Sequence, residues 1–288
     1  MSLFVYDDTL NKLEVSLGGG SLLQVANRAG AQMMTYFIKT PDGKNVIIDS
    51  GHDQPEDAEH LYELIKQNGK TVDMWFITHA HCDHTGGITR LIESGMIKDI
   101  EIKELRFSFP DIDWLLKTEQ NEGRYTERFL KDIESAGINV GQLEKDMSFS
   151  VGGMEFEILN SCERYDCFPE INDTTVVILA KFPEKNVLFL GDLGATGGER
   201  LQSECDIKKL RCDIVQMAHH GQNGVKLSFY DAVCPRICLY TAPDWLWDCD
   251  NGGGLGSGEW KTLETREYMK KFGTVVSCPN AYGDYLLF

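Results

Sequence analysis

The stretch Met74-Trp75-Phe76-Ile77-Thr78-His79-Ala80-His81-Cys82-Asp83-His84-Thr85-Gly86-Gly87 restricts the fold more than any other part of the chain. A short apolar run reads as a buried strand, and the glycines beyond it mark a turn. Four residues of metal-ligand type, His79, His81, Asp83 and His84, leave the end of that strand within six positions. On an extended backbone His79 and His81 point the same way, while Asp83 and His84 fall past the turn and face a second point nearby. Imidazole and carboxylate together suit zinc, iron or manganese better than calcium or magnesium. Three of the chain's seven histidines lie here, which argues against a merely polar loop. Cys82 is expected to point away from His81, leaving it outside the ligand set.

The same architecture recurs: an apolar strand stops, and a ligand-type residue stands at its end. Asp49 follows Asn45–Ile48, Asp192 follows Asn186–Leu190 and Gly191, and His219 and His220 follow 212–218. Each alone is weak, and Asp192 alone would read as a turn former. Jointly they describe donors held by rigid elements, as a preorganised metal site requires. Neighbours on an extended backbone point apart, so only one of the adjacent histidines is expected to be a ligand. His219, next to the strand, is the expected one, with His220 left to touch substrate or stabilise charge.

Between these points, strands and helices alternate. Strands are expected at 12–17, 32–39, 45–48, 101–108, 148–151, 154–160, 174–181, 186–190, 212–218, 234–241, 274–277 and 284–288. Helices are expected at 55–68, where Pro55 and acids open the first turn and Gly69 stops it, and at 85–96, 112–137, 197–203 and 261–272. The alternation predicts an α/β sandwich of two sheets with helices outside, in one domain over residues 1–288. His60 is expected on the helical surface. The glycine- and tryptophan-rich segment 243–259 reads first as a surface loop whose tryptophans fold onto the core. The other reading is an aromatic and acidic wall of Trp245, Trp247, Asp248 and Asp250 for a cationic or sugar-like group. Gly18-Gly19-Gly20 lacks the spacing of a nucleotide cradle.

At 288 residues with 42% hydrophobic content, the chain can bury a large core. No apolar run approaches the ~20 residues needed to span a bilayer, so no membrane association is expected. The N-terminus lacks a basic region and carries acids early, so it is not expected to be a signal peptide. Nine cysteines without a CxxC pair fit reduced thiols in a cytoplasmic protein. A formal charge of −17 argues against long nucleic acid as a partner and for a small-molecule substrate.

In order, IDSG, HAHCDHTGG, FLGD and HHG resemble the metallo-β-lactamase superfamily of hydrolases over roughly residues 32–225. The resemblance implies an αββα four-layer sandwich with one or two metal ions, zinc first and iron or manganese possible. His79 and His81 would hold the first ion. Asp83, His84 and one of His219 and His220 would hold the second, with Asp192 bridging and Asp49 orienting a ligand histidine. A metal-activated water would attack carbon or phosphorus, with Asp83 or Asp192 orienting it and His220 or the second ion stabilising the developing charge. The family usually has one further histidine before the bridging aspartate; here no histidine lies between His84 and His219. Asn172-Asp173 stands in that place, and Asp173 is either a weaker oxygen ligand or a cap. Asn-Asp before such a strand resembles the branch of competence-protein and phosphorylcholine-esterase domains, which favours a phosphodiester. An acyl bond (lactone, thioester or β-lactam) and a degenerate, non-catalytic metal-binding protein are the alternatives. A redox use would call for a flavin-binding partner domain, for which 288 residues leave no room.

Overall fold

The computed structural model describes residues 11–163, 165–273 and 275–288. Two large mixed sheets form its centre. The first runs in the order Asn11–Leu13, Tyr285–Leu287, Ser21–Gln24, Tyr36–Lys39, Asn45–Ile48, Met74–Phe76, Leu105–Phe107, Val140–Gln142. The second runs Ser148–Val151, Met154–Asn160, Val177–Lys181, Asn186–Phe189, Ile214–Gln216, Ile237–Tyr240, Val276–Pro279. Alternation within the strands builds the layers. Tyr36, Ile38, Val46, Ile48 and Phe76 face Phe156, Ile178, Val187, Phe189 and Ile214 between the sheets.

The residues between them face outward. Phe37, Ile47, Trp75 and Ile77 pack on Leu61 and Ile65 of helix Pro55–Gln67, Ile88 and Leu91 of Cys82–Glu93, and Phe129 of Gln120–Ser135. Val177, Leu179, Leu188 and Val215 pack on Leu201, Phe229, Val233 and Met269. This is the αββα sandwich, and it explains why the central strands are apolar on both faces. Among the described residues, no helix is long and apolar enough to cross a membrane.

The half of each sheet that carries the site is parallel: Asn45–Ile48 pairs with Met74–Phe76, and Asn186–Phe189 with Ile214–Gln216. Parallel strands present their carboxyl ends together, where open α/β sheets usually hold ligands. Helix Cys82–Glu93 begins three residues earlier than its periodicity suggests, so Asp83 and His84 lie in its first turn and not in an extended loop. The glycines after them allow it to press on the 50–53 segment: a Cβ at Gly87 would stand 1.9 Å from the Ser50 carbonyl oxygen.

His60 is half-buried and not solvated surface. Its Nε2 lies 3.0 Å from Asp284 Oδ2, and Arg28 Nη2 reaches the same oxygen at 2.8 Å. Asp284 also accepts the Ala26 amide at 2.6 Å, tying the last strand to the 25–28 segment. Burial raises its pKa, but the contacts to His60, Arg28 and the Ala26 amide outweigh this and hold it below the usual range. The carboxylate's stabilising contribution is therefore complete above the unfolded carboxylate pKa of about 3.9, and it is lost as pH falls through the lower folded value. Asp284→Asn should accordingly lower the melting temperature at neutral pH, and the gap from wild type should close below about pH 4. A gap that keeps its neutral-pH size in thermal melts taken well below about pH 4 would contradict this.

The 243–259 segment carries a short helix, Asp244–Trp247, whose Leu246 and Trp247 are buried while Trp245 is half-buried. Trp247 is buried beneath the Arg266 guanidinium, 3.7 Å from the ring centre. Trp245 packs on Trp260 and donates to the Gly30 carbonyl at 3.0 Å. Asp250 accepts the Gly252 and Gly254 amides at 2.7 and 2.8 Å, within its own loop. The strand expected at 274–277 is Val276–Pro279; Thr274 lies outside the described residues.

Candidate metal centre

Four strand ends converge at the gap between the sheets. Asp49, fully buried and in the left-handed region (φ 57°), accepts the Thr78 amide at 2.7 Å through Oδ1. Its Oδ2 accepts the Thr78 hydroxyl at 2.9 Å and His84 Nδ1 at 2.7 Å. A histidine that donates from Nδ1 keeps its lone pair on Nε2, so Asp49 fixes which nitrogen of His84 faces the gap. His220 is treated alike, with Nδ1 3.0 Å from the Thr241 carbonyl oxygen. Since the Thr78 hydroxyl donates to Asp49, it can accept from His79 Nδ1, 3.1 Å away, leaving His79 Nε2 facing inward.

The inward atoms fall into two groups, each with its ligand atoms within 4.8 Å of one another: Asp83, His84, Asp192, His220, and His79, His81, Asp192. Asp192 belongs to both. Its Oδ1 is 3.2 Å from His84 Nε2, and its Oδ2 is 3.3 Å from His220 Nε2 and 4.0 Å from His79 Nε2. Asp83 Oδ2 is 3.2 Å from His220 Nε2. His84 Nε2, His220 Nε2 and Asp192 Oδ1 are buried and make no hydrogen bond. Orphaned buried polar atoms are costly and call for an explanation. Donors at ion-pair distance that aim around a common point, without hydrogen-bonding to one another, are the arrangement a cation satisfies. These residues fit a divalent metal.

The charges agree with that fit. Burial opposes a charge on His84, but Asp192, Asp49 and Asp83 outweigh it and hold its pKa well above the ordinary value. For His220, Asp192 and Asp83 likewise overcome burial and push its pKa up to about 9. Burial works against Asp83 and Asp192 too, yet the neighbouring histidines hold both carboxyls below their ordinary range. Without a metal, therefore, protons balance the carboxylates, and a metal would displace them. His79, buried and facing two other imidazoles, is held well below its ordinary value.

The adjacent histidines exchange the places expected for them. The backbone is not extended after strand Ile214–Gln216: His219 (φ 51°), His220 (φ 57°) and Gly221 (φ 87°) are all left-handed. That turn drives His220 into the fully buried group, while His219, 24% exposed in its side chain, stays at the rim 3.7 Å from Asp192 Oδ2. Two non-glycine residues side by side in this region store strain of the kind found at functional sites. Gly221 is forced by packing as well, since a Cβ there would stand 2.2 Å from the Tyr240 ring.

Asp173 lies outside both groups. Its Oδ1 accepts the Gly197 amide at 2.7 Å, so it caps helix Ala195–Glu204, whose unpaired amides attract a carboxylate. Cys82 is also outside them: its thiol lies 3.7 Å from His52 Nε2, and burial pushes its pKa up. Thr78, Thr241 and Glu119 went unrecognised in the sequence. Thr241 directly follows strand Ile237–Tyr240, so the strand-end rule could have found it. Glu119, 3.2 Å from His81 Nε2, carries no such signal.

The family model of the metallo-beta-lactamase superfamily matches residues 31–232, and the chain belongs to that superfamily. Among curated proteins, a hydroxyacylglutathione hydrolase of Idiomarina loihiensis is 42% identical over 59 residues, 20% of this chain and 21% of that protein. The lactamase-like protein notP of an Aspergillus species is 36% identical over 56 residues, 19% of this chain and 17% of that one. These matches thus span only about a fifth of each relative. Among solved structures, the metallo-beta-lactamase fold protein YhfI of Bacillus subtilis superposes with a TM-score of 0.55 at 10% identity, covering 93% of this chain and 99% of its own. CmlA, a diiron beta-hydroxylase of Streptomyces venezuelae, gives 0.52 at 13% identity, over 90% of this chain and 52% of its own. Both share the fold.

Proposed function

We propose that this chain is a metal-dependent hydrolase of a small ester, with a phosphodiester as the first substrate class. The observation that carries the reading is the set of buried atoms without hydrogen bonds, His84 Nε2, His220 Nε2 and Asp192 Oδ1, at the gap between the sheets. His79, His81 and Asp192 would hold one divalent ion, and Asp83, His84, Asp192 and His220 a second, zinc being the first choice for imidazole and carboxylate donors. Such ions polarise the scissile group and bring the pKa of a water towards neutrality.

The protein's own groups divide the remaining work by exposure. Asp192 is 1% exposed and can only hold; the Asp83 side chain, 14% exposed, can also accept a hydrogen bond from an incoming water and orient it. His220, buried with Nδ1 committed to Thr241, is a holding group. His219 at the rim is the imidazole that can meet substrate. Burial holds its pKa below the ordinary value, so at neutral pH it is an uncharged donor for the developing oxyanion. The phosphodiester rests on the resemblance of Asn172-Asp173 and HHG to the phosphorylcholine-esterase branch. Net charge of −17 favours a compact substrate over long nucleic acid. An acyl ester or thioester is the second reading, favoured by the local match to the hydroxyacylglutathione hydrolase.

The test is bound metal per chain, followed by initial rates on bis(p-nitrophenyl) phosphate, a lactone and an acyl thioester. Turnover of the phosphodiester that chelation removes and zinc restores is expected. Fully metallated protein inert to all three would overturn the hydrolase reading.

A further inference from the structure

One helix face grips three consecutive residues of the metal loop. The Thr126 hydroxyl shares its proton between the Glu122 carbonyl at 2.9 Å and the Ala80 carbonyl at 3.2 Å, Glu119 Oε2 meets His81 Nε2 at 3.2 Å, and Glu122 Oε2 accepts the Cys82 amide at 2.9 Å. Glu119 immediately precedes helix Gln120–Ser135, and positions 119, 122 and 126 follow the spacing of one helical stripe. Glu119 Oε1 also lies 3.5 Å from the Ile171 amide, at the turn that precedes strand Val177–Lys181. Below these contacts Ala80, Leu115 and Ile171 pack together, so the stripe rests on a buried floor.

The two nitrogens of His81 have different neighbours. Nδ1 stands 3.1 Å from His79 Nε2, inside the first group. Nε2, on the far side of the ring, is buried without a hydrogen bond and stands at ion-pair distance, 3.2 Å, from Glu119 Oε2. A neutral imidazole carries one proton, and a carboxylate beside Nε2 draws it there, leaving the Nδ1 lone pair for a metal. Glu119 is not a member of either group. The first group also has only three donors, and with no further histidine to complete it, affinity there leans heavily on each ring's orientation.

We propose that Glu119 is a positioning residue that fixes His81 with Nδ1 toward His79 and Asp192, and so sets the affinity of the first metal position. The inference rests on the metal-dependent reading above. Its test is titration of the metal-free full chain with cobalt(II), followed by visible absorption and bound metal, for wild type, Glu119→Gln, Glu119→Asp and Thr126→Val. Wild type should fill two positions. In Glu119→Gln the affinity of one should fall by about 10- to 100-fold, the usual effect of losing a partner behind a ligand histidine, with the other unchanged. Glu119→Asp, which keeps the charge but shortens the reach, should fall between them.

Thr126→Val loosens the same grip without touching the ring. It should lower the melting temperature and leave both affinities alone. Ring-nitrogen chemical shifts should report a changed His81 tautomer population in Glu119→Gln and an unchanged one in Thr126→Val. Wild-type affinity at both positions in Glu119→Gln, or an equal loss in Thr126→Val, overturns the assignment. A wild type that fills one position also overturns it but spares the hydrolase reading. A wild type that takes up no metal sinks both, and needs no variant to reveal it.

Discussion

Asp192→Ala should abolish metal retention at both positions and turnover with it. Asp192 is the residue common to the two groups: Oδ1 lies against His84, and Oδ2 lies 3.3 Å from His220 Nε2 and 4.0 Å from His79 Nε2, reaching a member of each group. Loss of affinity should exceed the about 10- to 100-fold typical of partners that only orient a ligand. The metal-free protein should suffer as well. Asp192 is the largest influence holding the pKa of both His84 and His220 up, and removing it leaves buried imidazolium groups short of a counter-charge. Breaking a buried pair in this way costs about 3–5 kcal/mol. Asp192→Asn separates the effects: it keeps the shape, so the fold should survive by circular dichroism while bound metal stays low. Unchanged metal content in a folded Asp192→Asn protein would remove Asp192 from the centre.

The sheet end that carries Asp192 was legible in the sequence because an apolar run and its stop are local signals. Asn45–Ile48, Met74–Phe76, Asn186–Phe189 and Ile214–Gln216 each announce a buried strand, and each leads to a polar residue that a buried strand would not otherwise need. The order of those segments also carried the family resemblance, and with it the sandwich. Strand Ser21–Gln24 was not legible: it follows three glycines and is short, and what makes it a strand is antiparallel pairing with Tyr36–Lys39 and Tyr285–Leu287.

Illegible parts of the centre have one physical reason in common, namely partners distant in sequence. Asp173 looks like a ligand until helix Ala195–Glu204 presents amides to it. Glu119 looks like any surface acid until the helix it precedes is laid across the metal loop. Thr78 sits inside the motif, but its hydroxyl matters only because Asp49 and His84 meet there.

The adjacent histidines show the limit most sharply, and they supply the second large effect. His220→Ala should cost the metal position formed with Asp83 and His84, whereas His219→Ala should leave metal content near wild type and lower turnover alone. The sequence argument ran the other way because it extended the strand's geometry one residue too far. In an extended chain the first histidine after Ala218 would inherit the strand's direction. The left-handed turn instead carries the backbone through His219 before the side chain of His220 enters the group. The Gly221 contact with Tyr240 and the Thr241 carbonyl then lock that arrangement. Truncating His220 deletes a donor whose other nitrogen is already committed, and no neighbouring imidazole can replace it: His219 Nε2 is 3.7 Å from Asp192 on the rim side, with its side chain 24% exposed. For His219→Ala the loss should sit in kcat, by about 100-fold if the imidazole donates to the developing oxyanion, with substrate affinity little changed. Bound zinc per chain for the two variants decides the assignment: equal metal loss in both, or loss confined to His219→Ala, would return the ligand role to His219.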